Sequence, residues 1–522
     1  MVTVAASKVL GLIRDRLLAH SFTPDTTAVF FAAFRIPDLM FQVLIFGAVS
    51  VAFIPVFTDY LHQKGEKEAF EFAADILNVV LVIFVVIGIA AAILALPLTS
   101  AIVPGFSDSQ KSLTANLSQV IWIGQILLVI GAFFAGIGQA FQRFIIPALA
   151  SLFYNVGIIL GILFLTPFWG ILGPAVGVVL GAFLHILVQV WLVKSLGFRY
   201  RFRLNFYSDG IKEILGMMSV RTIGVAVEQI NETVGVILAS LVSTSSVTFL
   251  TFAQHLQTVP IGLFGATLAQ AALPVLSREK AQGEEGSFKV TLLTTMHQIM
   301  FLSLPAAAIL IVLRIPVVRL VFGASQFNWE ATVLTGKTVA FLAAGLTAQS
   351  IVLLLIRGFY ALKDTRTPVI VSVVSVALNI TLSFVFVRVM HFDVWSLGLA
   401  YAVSSNLSIV MLLAFLGNKV GGFRAEEIFI PIGKMIFAAA VSALALYLPI
   451  KALDQLVFDT TKTINLLVLT GIASLLGLGI YLFLVWLLKV KELETFGELL
   501  KKIYNLQFKF RSEEIVSEPE TV

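Results

Sequence analysis

The sequence predicts an all-α integral membrane protein of about fourteen transmembrane helices, on three observations. Apolar residues fill 59% of the 522 positions and charged residues only 12%, about half the charged share of an ordinary soluble domain. Apolar stretches long enough to cross a bilayer recur from end to end with short gaps, each needing about 20 residues. Basic residues gather in alternate gaps, as the positive-inside rule expects.

In chain order, the first stretch, 2–20, carries Lys8, Arg14, Asp15 and Arg16. A charge at the bilayer centre costs about 2.5–3.5 kcal/mol, so this helix is not expected to face lipid. Lys8 and Asp15 are two helical turns apart and share a stripe, with Arg14 beside it; Asp15 and Arg16 are equally readable as snorkelling or pairing at an interface. The second, 27–60, has Arg35 and Asp38 flanking Pro37, where a proline break would expose backbone to a cavity. Stretches 70–102, 113–140, 146–167 and 171–193 follow and are predominantly apolar. The seventh, 212–241, holds Arg221, Glu228, Asn231 and Glu232. Glu228 and Glu232 lie one turn apart on a face that also takes Arg221, as an anion contact or as a structural partner of Glu228. The eighth, 247–275, carries His255, a residue type that is more often satisfied packing than a ligand when alone in a membrane. The rest run 291–321, 332–357, 368–390, 394–416, 429–450 and 464–488. Several exceed one bilayer thickness and contain proline, predicting tilted or broken helices around a cavity.

Twenty-three Lys and Arg residues fall on one side of these stretches and seven on the other: Lys111, Arg314, Arg319, Lys337, Arg388, Lys451 and Lys462. The bias alternates loop by loop and places both termini in the cytoplasm. The formal charge of +5 is therefore a topology signal, with no nucleic-acid partner expected. There is no cysteine, so disulfides and thiol chemistry are excluded. Met1 opens directly into a motif-bearing helix, so no removable signal peptide is expected.

An internal repeat organises the chain. Gly138–Pro147 leads to Asn155 and then Gly173; Gly358–Pro368 leads to Asn379 and then Gly398. Both copies start from a cytoplasmic loop, predicting two parallel six-helix lobes, 1–205 and 206–420, followed by two additional helices in 421–490 and a cytoplasmic tail, 491–522. Inward-pointing cations opposite otherwise apolar helices would suit an anion, and guanidinium forks match pyrophosphate oxygens. Glu232 and Asn379 are candidate ligands for a coupling ion. No cofactor is expected; the driving force would be membrane potential, Na+ or H+.

Several motifs carry a resemblance. Ser7–Asp15 (SKVLGLIRD), Phe30–Leu39 (FFAAFRIPDL), Gly47–Phe57, Val103–Phe106, the GIGQAFQRFIIPALASLFYNVGII segment, Gln229–Ser277, the FGASQF turn at Phe322 and GFYALKDTRTP at Gly358 occur in order. Together they resemble the MurJ/MviN lipid II flippases, within the wider superfamily of drug exporters and polysaccharide flippases. The resemblance implies a bacterial cytoplasmic-membrane protein that moves a lipid-linked peptidoglycan precursor outward by alternating access, serving cell-wall synthesis. It also implies membrane lipid and the cell-wall synthesis machinery as partners, and a groove for the polyprenyl tail at the last two helices. Carried over by position, the substrate-binding set is Lys8, where the family has arginine, with Arg14, Asp15, Arg35, Gln42 and His255; Arg221 is the expected substitute for a missing arginine. The family's Arg-Arg pair is Phe41-Gln42 here, an arginine is His255, and acidic positions are Ala28 and Phe46. Two further readings stand beside it: export of another lipid-linked sugar or an amphipathic small molecule, and a membrane enzyme on a lipid-linked sugar. The enzyme would want a sizeable outer loop with paired carboxylates or metal-ligand spacing, and no such loop is present in the sequence.

Overall fold

The computed structural model describes residues 2–46, 53–205, 209–456, 463–494 and 496–497, without the side chains of 2, 4, 5, 46, 209–222, 448–456 and 463. The described elements are all helical. The first half runs α1 (Val2–Ser21), α2 (Pro24–Phe41), α3 (Ile54–Gln63), α4 (Glu66–Ile93), α5 (Ala95–Ile102), α6 (Asp108–Ala140), α7 (Ile145–Leu160), α8 (Thr166–Trp169) and α9 (Leu172–Ser195). The second runs α10 (Asp209–Val242), α11 (Thr244–Pro260), α12 (Thr267–Ala281), α13 (Glu285–Val312), α14 (Arg314–Phe322), α15 (Trp329–Ala344), α16 (Leu346–Ala361), α17 (Arg366–Phe384) and α18 (Trp395–Lys419). The chain continues into α19 (Ala425–Leu456) and α20 (Thr463–Leu487).

Twelve described helical runs, some joining neighbouring elements such as α7 with α8 and α11 with α12, are long and apolar enough to cross a membrane, or thirteen when α15 and α16, bent by 42° at Gly345, count as one span. The count of about fourteen is not reached by length and composition alone: α1 has the length of a span, but its four charges keep it out of this set. The long stretches break where the chemistry requires it. Pro97 and Pro316 each lie four residues beyond the last residue of a helix, Ile93 and Val312, and the ring clashes with the carbonyl four residues back. Stretches 70–102 and 291–321 are therefore α4 plus α5 and α13 plus α14 rather than single spans. The 27–60 stretch likewise ends early: α2 passes into a π-helical turn, Gln42–Phe46, and α3 begins at Ile54.

Three large apolar clusters hold the bundle, beside a small one at Leu313, Leu446 and Ala473. One lies within residues 45–198 and joins α3, α4 and α6. A second, within 269–490, joins α12, α13, α16, α18, α19 and α20. The third draws on both halves, from Leu18 on α1 to Leu397 on α18, so the halves meet across an apolar seam at one end. Inside the first half, α7 and α9 approach through glycines: a Cβ on Gly157 would lie 2.2 Å from the Gly181 Cα. Small residues allow such contact where lipid provides no hydrophobic drive for helix association.

The repeat has structural counterparts. Gln142 and Lys363 both have positive φ, 58° and 59°. At each, a backbone amide closes the helix end: Arg143 N donates to Gly138 O at 2.8 Å and Asp364 N to Phe359 O at 2.9 Å. Asn155 and Asn379 each sit six residues before a π-helical turn, Gly161–Leu165 and Val385–Val389. Each also bonds to the first helix of its own half, Asn155 to Arg14 and Asn379 to Asn231.

Candidate functional site: a charged cavity between the halves

A cavity of about 670 Å³ lies between the halves, walled by α1, α2, α6 and α7 on one side and α10, α11, α17 and α18 on the other. Of the expected residues, Arg14, Arg35, Gln42, Glu232, His255 and Asn379 line it. Lys8 does not: it is exposed, as are Val9 and Ile13 nearby. Asp15 is 1% exposed behind the wall. Lys8 and Asp15 do share a helical stripe, but α1 is uncovered at one height and enclosed at the other. The side chain of Arg221 lies outside the described residues, so the expected roles for it, anion contact or partner of Glu228, find no geometry here.

The cations do not face apolar helices, as the sequence reading had them. Arg14 is held by Asp15, with Nη2 to Oδ1 at 2.8 Å and Nε to the same oxygen at 3.0 Å, and donates to Asn155 Oδ1 at 3.3 Å. His255 Nδ1 lies 2.6 Å from the other Asp15 oxygen. His255 is thus no packing residue: it ties α11 of the second half to α1 of the first. Arg16 donates instead to the carbonyls of Leu320 and Val321 near the end of α14, where a helix presents unpaired acceptors.

Arg35, on α2, is spanned by α10. Its Nη1 donates to Glu232 Oε2 at 2.8 Å, its Nε to Thr233 Oγ1 at 3.0 Å, and its Nη2 to Gln229 O at 3.2 Å and to the Gln229 side-chain oxygen. Gln229 and Thr233 were missed by the sequence reading; they lie four apart and so share a helical face, with Glu232 three residues from Gln229, which is the signal that could have found them. Asp38 and Glu228 also line the wall, and the Gln42 side chain bonds to Asp38. Two arginines therefore face three carboxylates, Asp38, Glu228 and Glu232, among the described lining residues. Both arginines are already paired, Arg14 with the buried Asp15 and Arg35 with the cavity-lining Glu232.

A second cavity of about 710 Å³ adjoins the first through Gln42, Glu228, Asn231, Gln349, Asn379 and Tyr401. It extends between α10, α16, α17 and α18, and its wall includes the hydroxyls of Ser372, Ser375, Ser404, Ser405 and Ser408. No Lys or Arg is among its described lining residues. Where the two meet, Asn379 Nδ2 donates to Asn231 Oδ1 at 2.7 Å, leaving the buried Asn379 Oδ1 without a hydrogen-bond partner.

A helical bundle in two halves, with ionised side chains bridging a polar cavity at their junction, defines a polytopic membrane carrier. The comparisons place it further. The family described as Lipid II flippase MurJ matches residues 19–468, and the chain belongs to that family. It is 29% identical over 467 residues to a probable lipid II flippase MurJ of Rhizobium meliloti, covering 87% of this chain and 86% of the relative. It is 28% identical over 520 residues to one of Vibrio cholerae, covering 94% and 96%. Its fold is similar to a structure of lipid II flippase MurJ in an inward closed conformation, with a TM-score of 0.77 at 22% identity over 92% of this chain and 97% of that one. An inward-facing multidrug resistance MATE family transporter of the MOP superfamily is also similar, with a TM-score of 0.68 at 13% identity over 80% and 94%.

Proposed function

We propose that this chain moves a polyprenyl-pyrophosphate-linked glycan, lipid II by family, from the cytoplasmic to the outer leaflet by alternating access. The observation that carries the reading is the pair of arginines lining the cavity at the junction of the halves, of which Arg35 is held by a cavity-facing carboxylate, Glu232, that a pyrophosphate could replace. Arg35 is held from the second half, so anion binding there changes what joins the halves, as a ligand that shifts a conformational equilibrium must. The hydroxyl-lined second cavity, free of basic residues among its described lining, suits the uncharged sugar and amide groups of the same headgroup.

The moving bodies in this reading are 1–205 and 206–420. Helices α19 and α20 stand outside them, and their exposed apolar faces, with Leu444 69% and Leu475 71% exposed, support a role beside the polyprenyl tail. Both termini are cytoplasmic, and membrane potential, Na+ or H+ drives the cycle. The protein would work alongside the cell-wall synthesis machinery in a bacterial inner membrane. Reconstitution of the full chain in vesicles holding lipid II in one leaflet, with outward appearance read by a membrane-impermeant lipid II ligand, tests the proposal. Transport by wild type and its loss in Arg35→Gln at equal incorporation is the supporting result.

A further inference from the structure

We infer that residues 199–204, the strip joining the two halves, form a binding site for anionic phospholipid headgroups at the membrane surface. The strip reads Arg199, Tyr200, Arg201, Phe202, Arg203, Leu204, alternating basic and apolar. Arg201 O and Arg203 O, two residues apart, accept from the same Asn78 amide nitrogen, as in an extended chain, where alternate side chains go to opposite sides. Tyr200, Phe202 and Leu204 are 56%, 67% and 43% exposed, and the three arginines are exposed as well.

The strip is held in place at both its start and its middle. Helix α9 ends at Ser195; Gly197 follows with φ of +91°, and Phe198 N bonds back to Val193 O at 3.0 Å. Phe198 is buried against Phe70 and Phe134, with ring centroids 5.8 and 5.9 Å away. Asn78, 1% exposed on α4, then spends its amide on the strip. Its Nδ2 donates to Arg201 O at 2.8 Å and Arg203 O at 3.1 Å, and its Oδ1 accepts from the Tyr200 hydroxyl at 2.7 Å. A buried polar side chain given over to fixing an exposed loop makes its conformation specific.

Its height in the membrane follows from α4. The first three turns of that helix carry Glu66, Lys67, Glu68, Glu71 and Asp75, and from Ile76 to Ile93 it has no charge. The strip lies against the join, near Asn78, where the headgroups of a bilayer around α4 would be. Aromatic rings favour that level, and each basic residue near an anionic surface contributes to headgroup attraction. Glu71, 4.0 Å from Arg201, and Asp75 offset part of the positive charge without neutralising three guanidiniums. Since the strip leads into α10, which holds Arg35, lipid bound here acts on the element that joins the halves.

The test uses the purified full chain in a neutral detergent with phosphatidylglycerol or phosphatidylcholine added. Phosphatidylglycerol should raise the wild-type melting midpoint where phosphatidylcholine does not. The R199Q/R201Q/R203Q variant should need about tenfold more phosphatidylglycerol for the same rise; an unchanged requirement overturns the inference. Should that variant be unstable without lipid, a nitroxide on Phe202→Cys, unique in a chain without cysteine, supplies the second arm. In vesicles with phosphatidylglycerol it should gain oxygen contact over nickel-chelate contact relative to phosphatidylcholine vesicles. A label equally water-exposed in both overturns the inference.

Discussion

Replacing Glu232 with glutamine should strengthen binding of a pyrophosphate lipid, although it removes one partner of an ion pair. The Arg35 side chain is 10% exposed and Glu232 43%, so the carboxylate faces the cavity and is partly solvated. Removing one partner of a fully buried pair costs about 3–5 kcal/mol, while exposed pairs contribute about 0–1 kcal/mol. This half-exposed pair falls between, at about 1–2 kcal/mol. Arg35 would keep three neutral acceptors, Gln229 O, the Gln229 side chain and Thr233, so the folding penalty stays within that range. A phosphate that displaces Glu232 from Arg35 must overcome the same quantity, and in Glu232→Gln it need not. The expected gain is about tenfold in affinity, the equivalent of 1.4 kcal/mol, whereas Arg35→Gln should lose at least as much. Binding of radiolabelled undecaprenyl pyrophosphate to the full chain in nanodiscs measures both. If Glu232→Gln weakens binding as Arg35→Gln does, Glu232 serves to position Arg35 and the competition argument fails.

Other perturbations test neighbouring parts of the account. Asp15→Asn strips the buried partner shared by Arg14 and His255 and should destabilise the folded protein by about 2–4 kcal/mol, read as a fall in melting midpoint; an unchanged midpoint would show that Arg14 is solvated. Gly181→Ala puts a methyl 2.3 Å from Tyr154 O and should cost about 1–3 kcal/mol or more by overpacking, lowering membrane abundance, while Gly433→Ala, with open space around it, should be neutral. Asp364, in the loop between α16 and α17, loses affinity for protons despite burial that pushes it up. Bonds from the Thr367 hydroxyl and amide, and Lys419 at 2.9 Å, bring its pKa to about 2. A depressed folded-state pKa stabilises above the unfolded value near 4 and is lost as pH falls towards 2, so Asp364→Asn should flatten acid unfolding in that window and leave the neutral-to-alkaline profile parallel to wild type. Single cysteines at Arg201 should resist an impermeant thiol reagent in intact cells, while Asp108 and Asn328 should label; labelling at Arg201 would invert the proposed topology.

The sequence made the spans legible because lipid demands long apolar runs; the repeat was read from the spacing of Asn155 to Gly173 and Asn379 to Gly398, and each of these asparagines lies six residues before a π-helical turn. Helix breaks were less visible. Pro97 and Pro316 act on carbonyls four residues back, so each break falls at a residue, Leu94 or Leu313, that reads as apolar span. The site was half legible. Intramembrane charge singled out Arg14, Arg35, Glu232 and His255, but their pairing lies across 197 residues for Arg35 with Glu232 and 240 for Asp15 with His255. Local periodicity has no access to such distances, so a paired, nearly balanced cavity read as a cationic one. Lys8 lies exposed outside this cavity for a related reason: helical phase gives the face, not what covers it. The loop strip after Gly197 read only as basic topology signal, since its anchor, Asn78, is more than a hundred positions away.

The most direct measurement is complementation of a flippase-depleted bacterium by the full chain and by an Arg14→Gln/Arg35→Gln double variant, with lipid II in each leaflet quantified at matched abundance. Both arginines line the cavity, and under the proposed function wild type should restore growth and outer-leaflet lipid II. The double variant should accumulate precursor on the cytoplasmic side. Full restoration by the double variant would contradict the account.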